Sequence, residues 1–331
     1  MQNFTYQAAP MRVIFGTGTL GQLPAELERL GIARALILAT PHQARQAEEV
    51  AAMIGQRAAG TFAQAEMHTP VHVTERALIR VSELDADGVV AIGGGSTTGL
   101  GKAIARRTDL PQIVVPTSYA GSEMTPILGE TQDGLKTTQS SPKVLPETVI
   151  YDVDLTMTMP PSLSATSGLN AIAHAAEALY ARDQNPIISL MAEEGIRSLA
   201  RALPKISAAG HDIAARTDAL YGAWLCGCCL GAVGMALHHK LCHTPKHMRP
   251  CCRTRSPTTH PRHRKRWRGL RGRSVGMMRR PDCLNLRVRS VCSGRCASSA
   301  CRSRTSIGRR ASRSPIPIGT RGPWSARRYA G

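Results

Sequence analysis

The stretch VVAIGGGSTTGLGK, residues 89–102, places the strongest constraint on the fold. Four apolar residues run into three glycines and a serine, and a helix-forming segment follows. Glycines let a backbone approach a phosphate, and the helix N-terminus behind them offers unpaired N–H groups and a favourable dipole. Such a unit belongs in a parallel sheet whose strands alternate with helices, and the flanking sequence has that alternation. ARALILAT (33–40), ADGVVAIGGGS (86–96) and PQIVVPTS (111–118) read as buried strands, with PAELERLG (24–31) and TERALIRVSELD (74–85) as helices between them. A second polar strand end, VVPTSYAGSEMTP (114–126), carries Thr117, Ser118, Tyr119, Gly121 and Ser122, all fit to hydrogen-bond a ribose, a pyrophosphate or a nicotinamide. Two polar strand ends facing one crevice are what a dinucleotide site at the carboxyl edge of a sheet requires. The expectation is an α/β Rossmann-like parallel-sheet domain over residues 1–155.

From about Pro160 the pattern turns helical, so residues 156–244 read as an all-α C-terminal domain, incomplete at its end. Ser162 or Ser164 is placed to cap a helix through GLNAIAHAAEALYAR (168–182); PIISLMAEEGIRSLARALP (186–204) and AARTDALYGAWLCGCCLGAVGMALHHKLCH (214–243) make two more. The apolar run 223–237 is too short and Gly-rich to span a bilayer and reads as buried. No signal peptide is visible at the N-terminus. Cys226, Cys228, Cys229 and Cys242 cluster in or beside this apolar helix, where free cysteine behaves as a small hydrophobe, which points to a reducing, cytoplasmic compartment.

After Thr244 the composition changes abruptly. Residues 245–331 hold 24 of the 42 Lys and Arg and a single acid, Asp282, so the net charge of +19 is a property of this tail alone. It has no apolar period, and its Arg, Pro, Ser and Cys mixture reads as out-of-frame translation of GC-rich DNA. A basic nucleic-acid-binding tail is the competing reading. The spacing of Cys283, Cys292, Cys296 and Cys301 matches no zinc template.

GGGSTTGLGK, PTSYAGSEMTP, KVLPETVIYDVDLTMTMP and SGLNAIAHAAEALYA together resemble the group III, iron-containing alcohol dehydrogenase family, whose architecture is dehydroquinate synthase-like. Within it, PTSYAGSEMT and SGLNAIAHAAEALYA are most similar to the maleylacetate reductase branch. The resemblance runs over residues 1–244 and implies that Gly93, Gly94, Gly95 and Ser96 bind pyrophosphate. It also implies that Thr117, Ser118 and Ser122 contact phosphate, ribose or nicotinamide, and that Lys143 lies near the ribose. After ALILA, where an acid would select NADH, the chain has Thr40, Pro41 and His42, so both NADH and NADPH are allowed.

Asn170 and His174 are four apart and so share one helix face. Metal-dependent relatives carry Asp at the first position, keep the His and add two more. Here Asn replaces the Asp, His239 matches the third ligand, and the fourth falls at Arg253 in the tail. The resemblance therefore implies a pocket lined by Asn170, His174, His239 and His243, with His243 as donor or acid and no metal. Lys240 is a candidate partner for a substrate carboxylate. A simpler reading has Asn170 and His174 satisfying each other. The implied activity is reduction of the conjugated C=C of maleylacetate, a dicarboxylate, to 3-oxoadipate by hydride from NADH or NADPH. In that reaction charge collects on an enolate that hydrogen-bond donors can hold. A homodimer is implied as well, and the altered C-terminus puts the activity of this exact chain in question. The alternatives are a metal-dependent alcohol dehydrogenase and a nucleic-acid-binding protein.

Overall fold

The fold grows from three strands that are apolar at every position but Gln112. β2 (Ala35–Leu38), β4 (Gly88–Gly93) and β5 (Gln112–Pro116) are buried at every position, as strands covered on both faces must be. In this computed structural model, which describes residues 3–235, they form the middle of a six-stranded parallel sheet. β8 (Thr148–Asp152) and β1 (Arg12–Gly16) extend it on one side and β3 (Ala58–Phe62) on the other, in the order β1-β8-β5-β4-β2-β3. The described residues all fall within one unit, Met1–Arg262.

The side chains of each strand alternate between two cores, as a period of two dictates. Ile37, Val90, Ile92, Ile113, Val115 and Ile150 face α1 (Leu23–Arg29) and α2 (Ala44–Ile54). Leu36, Leu38, Val89, Ala91 and Val114 face α3 (Val71–Glu83) and α4 (Gly95–Thr108). A hairpin of β6 (Ile127–Gln132) and β7 (Leu135–Ser140) turns at Asp133 and Gly134, both at positive φ, the arrangement a tight hairpin favours.

Three helices complete the described chain: α5 (Pro161–Ala178), α6 (Pro186–Ala208) and α7 (Ile213–Ala232). They continue the layer of α3 and α4, since Val149, which pairs with Val114, packs with Tyr119 and Tyr151 into the helices' own core. Asn185 and Asp212 cap α6 and α7, accepting from the N–H of Ile188 (3.1 Å) and Ala215 (3.0 Å).

Neither serine expected to cap α5 does so. Pro161 begins the helix, where its fixed φ and missing N–H cost nothing. Ser164 is buried inside the first turn, bonded to Pro160 O at 3.1 Å and accepting from Arg216 Nη1 at 2.7 Å. Arg216 also donates to Met159 O (2.7 Å) and Gly210 O (2.9 Å), so one buried guanidinium ties the start of α5 to α7 and to the turn before it. The third helix ends at Ala232, short of the expected 243. The tail 245–331, with its basic run and its four spaced cysteines, lies outside the described residues.

Candidate active site

All six strands are parallel, so their carboxyl ends share one edge. The chain leaves β2 toward β3 and leaves β4 toward β5 in opposite directions, which opens a crevice above these strands. Gly93 ends β4 with φ 147, and a Cβ there would stand 2.5 Å from Thr97 Oγ1 and 2.7 Å from Gln43 Oε1. Gly94 precedes the first turn of α4 and runs beside Ser118, whose Oγ would lie 3.0 Å from a Cβ on it. The first turn of α4 has no acid and the last holds Arg106 and Arg107, the polarity an anion at the N-terminus needs.

The second polar strand end meets this turn. Thr117 N donates to Gly93 O at 2.9 Å, and Thr117 Oγ1 accepts from Gln43 Nε2 at 3.1 Å. Gln43 follows β2, so it bridges three strand ends; no motif in the sequence marks it. Ser122 Oγ is buried without a hydrogen-bond partner among the described residues and lies 3.9 Å from where a Cβ on Gly95 would stand. Gly93, Gly94, Gly95, Ser96, Thr117, Ser118 and Ser122 therefore gather at one place.

Two expected contributors are elsewhere. Tyr119 turns its ring away from the crevice into the helical core, wholly buried, and burial raises its phenol above the ordinary value. Only its backbone stays at the loop, its N–H donating to Ser167 Oγ at 3.1 Å. Lys143 lies at the opposite edge of the sheet: its Nζ pairs with Asp109, just past the C-terminus of α4, at 2.9 Å. A 14-residue helix spans about 21 Å, so this ammonium is far from the turn at Gly93–Ser96.

Ser167 brings the helical half to the loop. Asn170 and His174 follow it at i+3 and i+7 along the same face of α5. Asn170 Nδ2 stands 3.0 Å from His174 Nε2, with Asn170 exposed among the described residues and His174 buried. The two side chains are joined to each other, and their face continues the line that starts at Ser167 beside the loop after β5. His239, Lys240 and His243 lie outside the described residues, as does Arg253.

A parallel sheet with a glycine turn at its carboxyl edge, roofed by helices that carry an Asn–His pair, defines a dinucleotide-dependent oxidoreductase fold. The chain belongs to the iron-containing alcohol dehydrogenase family. Residues 10–153 match the family model described as iron-containing alcohol dehydrogenase, and residues 164–247 match the C-terminal model of the Fe-containing alcohol dehydrogenase family. It is 62% identical to a maleylacetate reductase of Rhizobium sp. (strain MTP-10005) over 74% of this chain and 70% of that one. The crystal structure of maleylacetate reductase from Agrobacterium tumefaciens is similar at 61% identity and TM-score 0.73, covering 74% of this chain and 70% of that one. An iron-containing alcohol dehydrogenase from Corynebacterium glutamicum follows at 43% identity and TM-score 0.71, covering 73% and 68%.

These matches correct the expectation that no metal takes part, because the family is an iron-containing one. Among the described residues no group of three or more His, Cys, Asp and Glu comes together. Asn170 and His174 offer one amide and one imidazole, fewer donors than a catalytic ion takes from protein, so they do not build an iron site by themselves.

Proposed function

We propose that this chain is an NADH- or NADPH-dependent reductase of maleylacetate, reducing the C=C bond conjugated to the ketone to give 3-oxoadipate. The observation that carries the reading is the Asn170–His174 pair on the helix face that begins at Ser167, over a loop shared with the Gly93–Ser96 turn. It is supported by maleylacetate reductases that match at 62% and 61% identity. Gly93–Ser96, with Thr117, Ser118 and Ser122, would hold the cofactor's phosphates and ribose. The nicotinamide would then lie toward α5. Hydride adds to the alkene carbon β to the ketone, the electron pair moves to the ketone oxygen as an enolate, and the α carbon takes a proton. Asn170 would donate to that oxygen through its second amide hydrogen, the first being taken by His174 Nε2, which holds the amide in place, and His239 and His243 would complete the pocket.

Residues to about 155 form the cofactor half and those beyond it the substrate half in this reading. A homodimer in the cytoplasm is its natural setting. Cys226, Cys228 and Cys229 are free thiols, and no helix among the described residues is long and apolar enough to cross a membrane.

Steady-state reduction of maleylacetate by NADH, with 3-oxoadipate identified as product, tests the assignment. Asn170→Ala should lower kcat about 100-fold, the loss usual for one donor at an oxyanion, with the KM for NADH nearly unchanged. Turnover of simple aldehydes in place of maleylacetate, or full activity of Asn170→Ala, would overturn it.

A further inference from the structure

Lys102 has no part in the chemistry above, yet it is the most unusual charged group in the described chain. It lies in α4, is 1% exposed, and its Nζ meets four oxygens: Ser122 O at 2.6 Å, Thr125 O at 2.5 Å, Thr125 Oγ1 at 3.0 Å and Ile127 O at 3.0 Å. Three of them belong to the loop between β5 and β6, the loop that carries Ser122, and the fourth to Ile127, the first residue of β6. A neutral amine has two N–H groups and would set its lone pair against a carbonyl; an ammonium has three and no lone pair. Four converging acceptors therefore call for the charged form.

We propose that Lys102 is a positioning residue for cofactor binding: its ammonium draws the backbone of residues 122–127 around itself and so sets Ser122 Oγ against the first turn of α4. The unpartnered, buried Ser122 Oγ is the second mark of this arrangement, a hydroxyl held 3.9 Å from where a Cβ on Gly95 would stand and left with its hydrogen-bonding capacity unused among the described residues. The inference rests on the cofactor reading given above, since it assigns the loop's purpose.

The groups around the ammonium set how it titrates. Glu123 on the loop is 2% exposed and accepts from Tyr151 Oη of β8 at 2.8 Å, and Cys228 of α7 faces the same carboxyl. On the β6 side, Glu130 is occupied by Arg107 at 2.9 Å. Burial pushes Lys102 down from 10.5 to about 7, with the Glu123 charge opposing that fall. The clamp is thus fully charged at mildly acidic pH and released as pH rises. If only the charged form seats the loop, cofactor affinity falls about tenfold per pH unit above about 7. Stability moves the other way. Between about 7 and 10.5 the unfolded chain holds more protons at this site than the folded one, so the site's contribution to stability rises with pH. A lysine with a purely structural role would leave cofactor affinity flat across that range.

The test is NADH binding to the full-length chain, followed by the cofactor's own fluorescence from about pH 6 to about pH 9. It is paired with amide hydrogen exchange of residues 121–127, using β4 as the internal reference for intrinsic rates. Affinity should fall with a midpoint near 7 in the wild type. Glu123→Gln should move that midpoint to lower pH, and Lys102→Met should bind weakly at every pH. A Lys102→Met chain that binds NADH as the wild type does at low pH would overturn the proposal, and so would a midpoint that Glu123→Gln leaves in place. Should Lys102→Met fail to fold, the wild type and Glu123→Gln decide between the same outcomes. If no form binds NADH or NADPH, the cofactor reading falls and exchange alone judges the clamp. Faster exchange of 122–127 above neutral pH sustains it, and exchange that does not change sinks it.

Discussion

Gly93 shows how one residue couples backbone conformation to the site. Its φ of 147 lies where side chains are strained, and the space its Cβ would need is already taken by Thr97 Oγ1 and Gln43 Oε1. Neither neighbour is free to yield. Thr97 is fully buried in α4, and Gln43 is engaged with Thr117 and Gln46. Gly93→Ala should therefore destabilise the chain by about 1–3 kcal/mol and weaken NADH binding by more than tenfold, since Thr117 N hangs from the Gly93 carbonyl. Urea midpoints and fluorescence titration of the variant check both halves; wild-type affinity would mean that the turn tolerates a side chain. At this scale the sequence was informative where chemistry repeats along the chain and silent where it depends on direction. The turn at Gly93–Ser96 could be read because an apolar run that breaks into glycines ahead of a helix-forming segment marks where a strand ends and a helix begins. Tyr119 could not, because nothing in PTSYAGSE says which way a ring at a strand end will turn. Lys102 and Glu123 stood in the quoted motifs, but their burial arises only when α4, the loop and β8 come together.

Among the elements, α1 is fixed to the sheet by one carboxylate. Glu26, 4% exposed, accepts from Arg12 of β1 at 3.0 Å, from its helix neighbour Arg29 at 2.8 Å, and from Thr148 of β8 at 3.0 Å. Burial works to raise its pKa, but the hydrogen bonds from Arg29, Thr148 and Arg12 win, and the net direction is down from 4.5. A lowered carboxyl contributes stability that is present above 4.5 and lost as pH falls through its folded value. Glu26→Gln should therefore cost about 1–2 kcal/mol at neutral pH, a figure held low because both arginines are roughly half exposed. The cost should shrink below pH 4.5, and a urea-midpoint difference that stays constant down to pH 3 would contradict this. The strands β2, β4 and β5 were legible because burial on both faces leaves an unbroken apolar run. β7 was not, since all six of its residues are exposed and only the Asp133-Gly134 turn announces it. Lys143 was misplaced for a related reason: its position in KVLPETVIYD fixes it before β8, which is the amino edge of the sheet and not the crevice.

For the molecule as a whole, the sheet and the helices do not have separate interiors. Tyr119, Val149, Tyr151 and Val153 share one apolar cluster with residues of α5, α6 and α7. Phe15 of β1 lies 6.3 Å from the rings of both Tyr221 and Trp224, within the range of favourable aromatic pairing. Gly121 and Gly227 pack backbone against backbone, so α7 rests directly on the loop after β5, and Arg216 ties α5 to α7 behind it. Removing the helices would strip the sheet's β8 end, and removing the sheet would leave the helices' cluster without Val149 and Tyr151. The described chain should therefore unfold as one cooperative body. Hydrogen exchange in increasing urea, read on β4 for the sheet and α6 for the helices, should give midpoints that agree within about 0.3 M. A sheet that keeps its protection after α6 has lost its own would show that the shared cluster contributes little, and that the sheet half stands alone.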